Sequence, residues 1–390
     1  MAWAVLCLAV CMLGLGVSAT AQWPPIITIN PPGVGTTAGL GTQGPGINPQ
    51  GAVTGFFSDS NNVMHGFLRD PWGAITTFDA PGAGNESVVP GYQGTPGGVM
   101  GGQGTYPWSI NPAGAITGGY ADESNVFHGF LRTPDGKFIS FDAPSKYVGT
   151  GEGQGTMPAN INRSGVIWGT ATDSNGVSHG FLRTPDGKFT MVDAPHAGDA
   201  SGQGTSGEAA SCINTAGAVT GTYVDSESVA HGFVRTPDGK ITEFDVPGAG
   251  TGAGQGTYSW SINDAGAVTA EYVDADGVGH GYVRALDGTI TTFDVPYAGT
   301  GAGQGTIGEG INAAGVVIGN YIDGSGVNHG FARAPNGNLM YLDAPGAGTG
   351  SGQGTIPLTN NPADAITGVY VDGGGVLHGF LRIAGPPWTW

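Results

Sequence analysis

The repeated pairing of an aspartate with a histidine is the strongest chemical signal in the sequence. Five residues separate the two side chains, as in Asp225 and His231 or in Asp274 and His280. The same spacing recurs at Asp59, Asp122, Asp173, Asp323 and Asp372. Histidine and carboxylate side chains together could bind a metal ion or act in general acid–base catalysis. The pattern alone leaves open both a functional array and a structural hydrogen bond.

Strand geometry favours the structural role of these pairs. We expect each histidine on the third strand of a repeat unit, and neighbouring strands of a sheet are about 4.8 Å apart. The histidines would then lie well outside the innermost strands, too far from one another to meet at one ion. We therefore expect each aspartate to hydrogen-bond its histidine and to fix the turn between two strands.

Residues that break the repeat are better candidates for catalysis, because function belongs to particular sites and not to the scaffold. His196 is the only histidine outside the repeated motif. Glu208 and Glu309 lie on or just before predicted inner strands, where other repeats have Tyr, Pro or Ser. A histidine and two carboxylates around one channel could supply a general acid and a general base. We predict that His196, Glu208 and Glu309 are catalytic.

Oxygen-bearing side chains predict a calcium site at the crossover face of the channel, where glycine-rich crossovers carry the chain from one repeat to the next. Glu152, Asp199 and Gln203 lie in glycine-rich segments that lead into inner strands. Ca²⁺ prefers carboxylate and amide oxygens, whereas a compact histidine or cysteine cluster of the kind that binds zinc is missing from the sequence. We therefore expect Ca²⁺ as the metal, bound by Glu152, Asp199 and Gln203.

Aromatic and amide side chains predict where a ligand would bind. Tyr92 lies in an insertion in the first crossover, and Trp108 and Trp260 occupy similar inner positions of two repeats. Gln255 and Gln304 belong to a repeated Gln-Gly-Thr motif at the predicted channel mouth. Their amides could bind sugar hydroxyls, although capping of the inner strands is the simpler interpretation.

The elements that would position these residues come from a repeat of about 49 residues. The tripeptide His-Gly-Phe or His-Gly-Tyr recurs at His65, His128, His179, His231, His280, His329 and His378. Within residues 257–296, Asp-Gly and related turns separate four runs rich in β-branched and aromatic residues. A four-stranded unit of this length is typical of a propeller blade. The sequence therefore predicts an all-β, seven-bladed β-propeller with four strands per blade.

The two ends of the sequence predict how the ring closes. The last unit stops after its third strand at Arg382, and residues 27–42 resemble the fourth strand and crossover at 242–257. The N-terminal strand would complete the last blade and cover an otherwise exposed edge. We expect one propeller domain over 22–390, with a closing strand and crossover at 22–42, repeats at 43–382 and a tail at 383–390.

Composition and charge exclude several classes of protein. The content of 76 Gly and 26 Pro suggests disorder, but only 11% of the residues are charged and 39% are hydrophobic, which indicates an ordered chain. Twelve Lys and Arg against 30 Asp and Glu give a net charge of −18, which disfavours nucleic acid and anionic membranes as partners. The sequence has no phosphate-binding loop, nucleophile elbow, CxxC pair or HExxH motif.

Residues 1–21 predict secretion. They contain no charged side chain, have an apolar centre, and end in Ala19-Thr20-Ala21, a pattern that signal peptidase reads. Removal of this signal peptide would leave Cys212 without a disulfide partner in the chain. We expect a secreted bacterial monomer, extracellular or periplasmic, with no membrane span.

The repeat also resembles a known family. It reads Gly-Ile-Asn-x-x-Gly-x-Val-x-Gly-x-Tyr-x-Asp, followed by His-Gly-Phe-x-Arg and Phe-Asp-x-Pro-Gly-Ala. This pattern is similar to the extracellular HAF-type repeat family of bacterial secreted proteins, over nearly the whole chain after residue 21. The resemblance implies a secreted repeat protein and no particular chemistry.

Three functions are compatible with these residues. The leading hypothesis is calcium-dependent hydrolysis of a small lactone or ester, such as an acyl-homoserine lactone. Acidic propellers with a cation at the channel mouth resemble the propeller lactonases and esterases, in which the ion polarises a carbonyl and activates water. The second is a glycan-directed hydrolase or lyase that uses Glu208 and Glu309 as acid and base. The third is a non-catalytic glycan-binding or adhesion propeller, which the near-perfect symmetry favours.

Overall fold

The computed structural model describes residues 25–87, 102–207 and 211–383. The regular structure of these residues is β-strand, apart from a short 3-10 helix at Ser145–Tyr147. Among them, no helix has the length and apolar character needed to cross a membrane.

The strands follow one another with short connections. The first half of the chain contains β1 (Ile26–Ile29), β2 (Thr42–Ile47), β3 (Val53–Ser58), β4 (Met64–Arg69), β5 (Ile75–Phe78), β6 (Gly104–Ile110), β7 (Ile116–Ala121), β8 (Phe127–Arg132), β9 (Phe138–Phe141), β10 (Gly155–Ile161), β11 (Ile167–Thr172), β12 (Ser178–Arg183) and β13 (Phe189–Val192). The second half contains β14 (Gly204–Ser206), β15 (Val219–Val224), β16 (Ala230–Arg235), β17 (Ile241–Phe244), β18 (Gly256–Thr257), β19 (Ser261–Ile262), β20 (Val268–Val273), β21 (Gly279–Arg284), β22 (Ile290–Phe293), β23 (Gly305–Ile311), β24 (Val317–Ile322), β25 (Asn328–Arg333), β26 (Leu339–Leu342), β27 (Gly354–Asn360), β28 (Ile366–Val371) and β29 (Leu377–Arg382).

Consecutive strands pair antiparallel and form sets. In chain order, set 1 is β2–β5, set 2 is β6–β9, set 3 is β10–β13, set 4 is β14–β17, set 5 is β18–β22, set 6 is β23–β26, and set 7 is β27–β29 with β1. In set 5 the first strand is divided into β18 and β19, which both pair with β20. An aspartate stabilises each turn from second to third strand. In set 5, for example, Asp274 Oδ1 accepts the backbone N–H groups of Asp276 and Val278 at 2.9 Å.

The glycine of Gln-Gly-Thr joins neighbouring sets. Gly104, at the start of β6, forms a parallel bridge with Met64 of β4. Its φ is +123°, and a Cβ there would lie 2.0 Å from the carbonyl oxygen of Met64, so only glycine fits. Equivalent bridges form at Gly155, Gly204, Gly256, Gly305 and Gly354. A bridge between Gly41 and Leu377 then connects set 7 back to set 1.

The first strand, β1, is the fourth strand of set 7. It pairs antiparallel with β29, with Ile26 opposite Arg382 and Ile29 opposite Gly379. The side chain of Ile29 is buried in a hydrophobic cluster that contains Val53 of set 1 and Leu381 of set 7. The N-terminal strand therefore covers the edge of the C-terminal strand, as the sequence analysis expects.

The aromatic residue of His-Gly-Phe fills the core between sets. These side chains are completely buried at Phe67, Phe130, Phe181, Phe233, Tyr282, Phe331 and Phe380. Phe130 of set 2, for example, packs in one cluster with Ala52 and Leu68 of set 1. The arginine that follows stacks on the preceding set: the Arg132 guanidinium lies 4.7 Å from the centre of the Phe78 ring.

Asparagines at the ends of the first strands form a hydrogen-bonded ring. The Nδ2 of each donates to the backbone carbonyl oxygen of the next at 3.0 to 3.4 Å, in the order Asn48, Asn111, Asn162, Asn214, Asn263, Asn312, Asn361 and back to Asn48. Each asparagine also stabilises its own turn, since its Oδ1 accepts a backbone N–H four residues later, as Asn111 does from Ala115. This asparagine ring places the first strands innermost and the fourth strands at the perimeter.

Candidate functional site

A repeated β-bulge lines the space enclosed by the first strands, which we call the central channel. The pairing between first and second strands shifts at Trp108 in set 2, Ala159 in set 3, Glu309 in set 6 and Leu358 in set 7. A bulge leaves one residue unpaired and re-aims its side chain. Trp108, Glu309 and Leu358 are partly exposed on strands whose other residues are almost all buried. The bulge therefore turns these side chains toward the channel.

Two carboxyl groups lie close enough to interact electrostatically at the junction of sets 5 and 6. Glu309 is the bulge residue of β23, and Glu271 lies on the neighbouring second strand, β20. The two strands approach closely because β23 has Gly308, where a Cβ would lie 2.8 Å from Thr269 Oγ1. Both carboxyls are partly buried. Among the described residues, neither forms a side-chain hydrogen bond or an ion pair.

The environment of this carboxyl pair favours the protonated form. Burial, together with the nearby charge of Glu271, raises the pKa of Glu309 to about 8. Burial also raises the pKa of Glu271 to about 7, against an opposing effect of His280. Near neutral pH the pair therefore holds a proton on one carboxyl while the other ionises, which is the arrangement of a general acid beside a general base.

Aromatic side chains lie at equivalent positions of the channel wall. Trp260 occupies in set 5 the position that Glu309 occupies in set 6, and the strands β19 and β23 contact each other. Trp108 occupies the same position in set 2, with its ring 5.3 Å from that of Phe56. Both tryptophans are partly exposed, so the predicted aromatic surface and Glu309 belong to the same level of the channel.

A cavity of about 330 Å³ lies at the end of the first strands that carries the asparagine ring. The turns between first and second strands line it, including Arg163, Thr215 and Asp264. Thr215 donates its backbone N–H and its hydroxyl to the Asp264 carboxylate, at 2.9 and 3.1 Å. The repeat pattern predicts function at the opposite face, where the crossovers lie, and this cavity was not predicted from the sequence.

The predicted calcium ligands lie on two crossovers, Glu152 between sets 2 and 3, and Asp199 with Gln203 between sets 3 and 4. Glu152 and Asp199 are exposed, whereas Gln203 is buried. The amide oxygen of Gln203 accepts the N–H of Ala200 at 3.1 Å, and its Nε2 donates to the carbonyl oxygen of Ser226 at 3.2 Å. Within 25–87, 102–207 and 211–383, no three His, Cys, Asp or Glu side chains are grouped to hold a metal ion. The calcium site remains a prediction from the sequence.

The repeated glutamines close the crossover loops. Gln255 accepts the N–H of Gly252 at 2.9 Å and donates to the carbonyl oxygen of Ala275 at 3.0 Å. Gln304 accepts the N–H of Gly301 at 3.0 Å. These contacts match the capping interpretation, because the amides bind the backbone of the protein itself.

His196 lies at the perimeter of the molecule. Its Nδ1 is 2.6 Å from Oε2 of Glu243 on β17, the fourth strand of set 4, and 77% of its side chain is exposed. The structure therefore does not bring His196 to Glu309 in the channel. Glu208, predicted as catalytic, and Tyr92, predicted to bind a ligand, lie outside the described residues.

Each repeated histidine lies beside two side chains of its own set. In the predicted pairs, His231 Nε2 is 3.3 Å from Asp225 and His280 Nε2 is 3.2 Å from Asp274. The Nδ1 contacts a second aspartate at the end of the fourth strand, at 2.8 Å for both His231 with Asp245 and His280 with Asp294. In set 7, Asn30, which follows β1, replaces this second aspartate beside His378.

These contacts change the protonation of the groups involved. The hydrogen bond to Asp79 raises the pKa of His65, although burial opposes it. The backbone N–H of Val278 lowers the pKa of Asp274. In set 5, burial opposes the charged form of His280, but hydrogen bonds to Asp294 and Asp274 raise its pKa. His280 and Asp274 therefore favour their charged forms together, which strengthens the connection between the strands of this set.

The second member of the carboxyl pair was not predicted from the sequence. Glu271 stands where the other units have Phe, Gly, Thr, Asn or Val, and this departure from the repeat is the signal that marks it. A charged residue at this position of a second strand could have been compared with Glu309, the unusual residue on the first strand of the next unit.

The chain resembles solved propeller structures. Searches of family models and of curated proteins find no match. A structure described as streptogramin B lyase matches with a TM-score of 0.53 and 14% identity, covering 91% of this chain and 96% of that one. The BP39L lectin from Burkholderia pseudomallei matches with a TM-score of 0.50 and 10% identity, covering 94% and 98%. The chain has a β-propeller fold. At these identities the likeness concerns the fold alone.

Proposed function

We propose that the protein is an extracellular seven-bladed propeller that hydrolyses a small ester or lactone in its central channel. Sets 1 to 7 are the blades, and β1 completes the last one. The catalytic part of the proposal depends on the Glu271–Glu309 pair, whose partly buried carboxyls lack partners among the described residues and have raised pKa values. The HAF-type repeat and residues 1–21 support the extracellular location.

The pair would divide the work of hydrolysis between its two carboxyls. The ionised Glu271 accepts a proton from water while the water oxygen attacks the acyl carbon. The protonated Glu309 donates its proton to the leaving oxygen as the acyl–oxygen bond breaks. Water is thereby added across that bond, which gives an acid and an alcohol from an ester and a hydroxy acid from a lactone. Trp260 offers an apolar wall for the substrate.

Replacement of Glu309 tests this function. Glu309→Gln keeps the size of the side chain but removes the acidic proton, so kcat/KM should fall by a factor of about 100 or more on whichever lactone or ester is cleaved. Glu243→Gln is the matched control, because Glu243 lies at the perimeter and contacts His196. Full activity of Glu309→Gln would refute the proposal. A loss of activity in Glu243→Gln instead would identify the region of His196 as the active site.

The pH profile gives a second, independent readout. The wild-type kcat/KM should follow a bell-shaped curve with limbs near 7 and 8, since activity needs one proton on the pair. Glu309→Gln should lose the alkaline limb. A profile that is flat between pH 6 and pH 9 would contradict the roles given to the two carboxyls.

Calcium dependence, which comes from the sequence, is a separable part of the proposal. Ca²⁺ at Glu152, Asp199 and Gln203 would polarise the carbonyl of the substrate. Loss of activity in EDTA and its return with Ca²⁺ would support this part. Full activity in EDTA would leave the carboxyl pair as the catalytic groups.

Glycan binding without turnover is a second candidate, favoured by an exposed aromatic pair. Tyr297 and Tyr341 lie side by side between sets 5 and 6, with ring centres 5.7 Å apart and 67% and 45% of the residues exposed. Exposed aromatic faces are a common means of stacking on sugar rings. Binding to a glycan array that Tyr341→Ala abolishes, without turnover of any compound, would establish this function instead.

A further inference from the structure

The cavity at the asparagine ring contains an unpaired cation. Arg163 lines the cavity and is exposed. Among the described residues it forms no hydrogen bond, ion pair or ring contact. The equivalent residues of the other units are Pro49, Pro112, Thr215, Asp264, Ala313 and Pro362, so the charge departs from the repeat. Arg163 is also the only arginine or lysine among the described residues that line the cavity.

Arg163 differs from most of the other cationic residues of this protein. Of its twelve Lys and Arg, seven are the repeated arginines after His-Gly-Phe or His-Gly-Tyr, and the chain has a net charge of −18. A small anion therefore meets repulsion over most of the surface, and at this mouth, which also carries Asp264, Arg163 provides a local cationic partner. The guanidinium fork matches a carboxylate with two parallel hydrogen bonds.

The rest of the lining suits a hydroxylated ring. Asp264 keeps acceptor capacity for hydroxyl groups, because its two oxygens are bound only by Thr215. The small polar side chains of Ser211 and Asn360 also line the cavity. The rim residues Pro49 and Pro362 offer flat apolar surface to the C–H face of a sugar.

The size of the cavity limits the ligand. Pockets that hold small molecules have volumes of about 300–1,000 Å³. A cavity of about 330 Å³ lies at the low end of this range, which fits one sugar unit. From the charge, the lining and the volume together, we infer that this cavity binds a uronate, a monosaccharide that carries a carboxylate. The carboxylate pairs with Arg163, and the hydroxyls bind Asp264.

This site does not depend on the proposed hydrolysis, because Arg163 lies at the turn end of the channel and Glu309 at the bulge. Titration calorimetry with D-glucuronate, D-glucose and acetate on the whole protein tests the inference. Glucuronate should bind at least tenfold more tightly than either of the others, since only it offers both the carboxylate and the hydroxyls. Equal binding of glucose, equal binding of acetate, or no binding of glucuronate would overturn the proposal.

Variants locate the site. Arg163→Ala should weaken glucuronate binding at least tenfold, while Lys188→Ala, which removes an exposed cation at a turn outside the cavity, should leave it unchanged. Ala313→Trp on the exposed rim should also block binding by filling the mouth. Glu309→Gln should bind glucuronate like the wild type. An Arg163→Ala protein that keeps full affinity would disprove the assignment, and loss of affinity in Glu309→Gln would move the site to the carboxyl pair.

Discussion

The buried hydroxyl of Thr42 has no hydrogen-bond partner within the described residues. In set 2 the equivalent Thr105 accepts the backbone N–H of Ala80, which follows the fourth-strand aspartate, at 2.9 Å. For Thr42 the corresponding residue is Pro31, after Asn30 of the closing segment. Proline has no N–H, so the closure by β1 leaves this hydroxyl unsatisfied.

A pair of threonine variants tests this difference. Thr42→Val should leave the free energy of unfolding unchanged or raise it slightly, because it removes a polar group that has no partner. Thr105→Val should lower the free energy of unfolding by about 1 kcal/mol, because the N–H of Ala80 loses its acceptor. Urea unfolding measures both values. Equal decreases in the free energy of unfolding of the two variants would show that the Thr42 hydroxyl has a hydrogen-bond partner in solution.

The carboxyl pair also predicts how stability depends on pH. Burial raises the pKa of Glu271 to about 7 in the folded protein from an ordinary 4.5. Its contribution to stability is therefore complete below pH 4.5 and is lost as the pH rises through about 7, where the folded state must ionise a buried group. Glu271→Gln should raise Tm at pH 9 and leave it nearly unchanged at pH 4. Thermal unfolding with Glu243→Gln as control measures this, and equal shifts at both pH values would contradict it.

At the scale of the strands, the sequence predicted most of set 5. The four runs within residues 257–296 correspond to the observed strands, and the Asp-Gly turns lie between them. The first run is the exception, because the bulge near Trp260 divides it into β18 and β19. A bulge depends on how two strands align, and that alignment is not visible in the order of residues along one strand.

The candidate site was less predictable than the strands. Glu309 could be selected because it breaks the repeat, but its partner depends on which strand of set 5 faces β23. His196 breaks the repeat equally clearly and lies on the perimeter beside Glu243. The sequence shows that a residue is unusual, whereas its distance from the axis depends on the path of the crossover. One of the unusual residues therefore enters the channel and the other does not.

The closing strand β1 predicts an unequal effect of two neighbouring isoleucines. Ile29 is buried at 1% exposure, whereas Ile27, two residues earlier on the same face of β1, is partly exposed. Ile29→Ala should lower the free energy of unfolding by about 2–5 kcal/mol, and Ile27→Ala by clearly less. Urea unfolding followed by tryptophan fluorescence distinguishes the two. Similar small effects would mean that β1 does not pair with β29 in solution.

At the scale of the whole molecule, stability comes from contacts between neighbouring sets. Each junction repeats the glycine bridge, the aromatic core and, at several junctions, the stacked arginine, as Gly104, Phe130 and Arg132 show for sets 1 and 2. In a linear array the terminal units have only one neighbour and unfold first. The bridge from Leu377 to Gly41 gives the last set a second neighbour. Unfolding of any one set must therefore disrupt two junctions.

The asparagine ring has a direction of rotation. Every side-chain amide donates toward the same neighbour and every carbonyl accepts from the opposite one, so each set carries both halves of a head-to-tail contact. Among separate subunits, contacts of this type close into cyclic assemblies when the rotation between neighbours divides a full circle. Identical copies of residues 263–311 would keep each bond of the ring. This stretch is thus an interchangeable module, and a short polypeptide made of one or a few copies has the complementary surfaces needed to assemble into a symmetric oligomer.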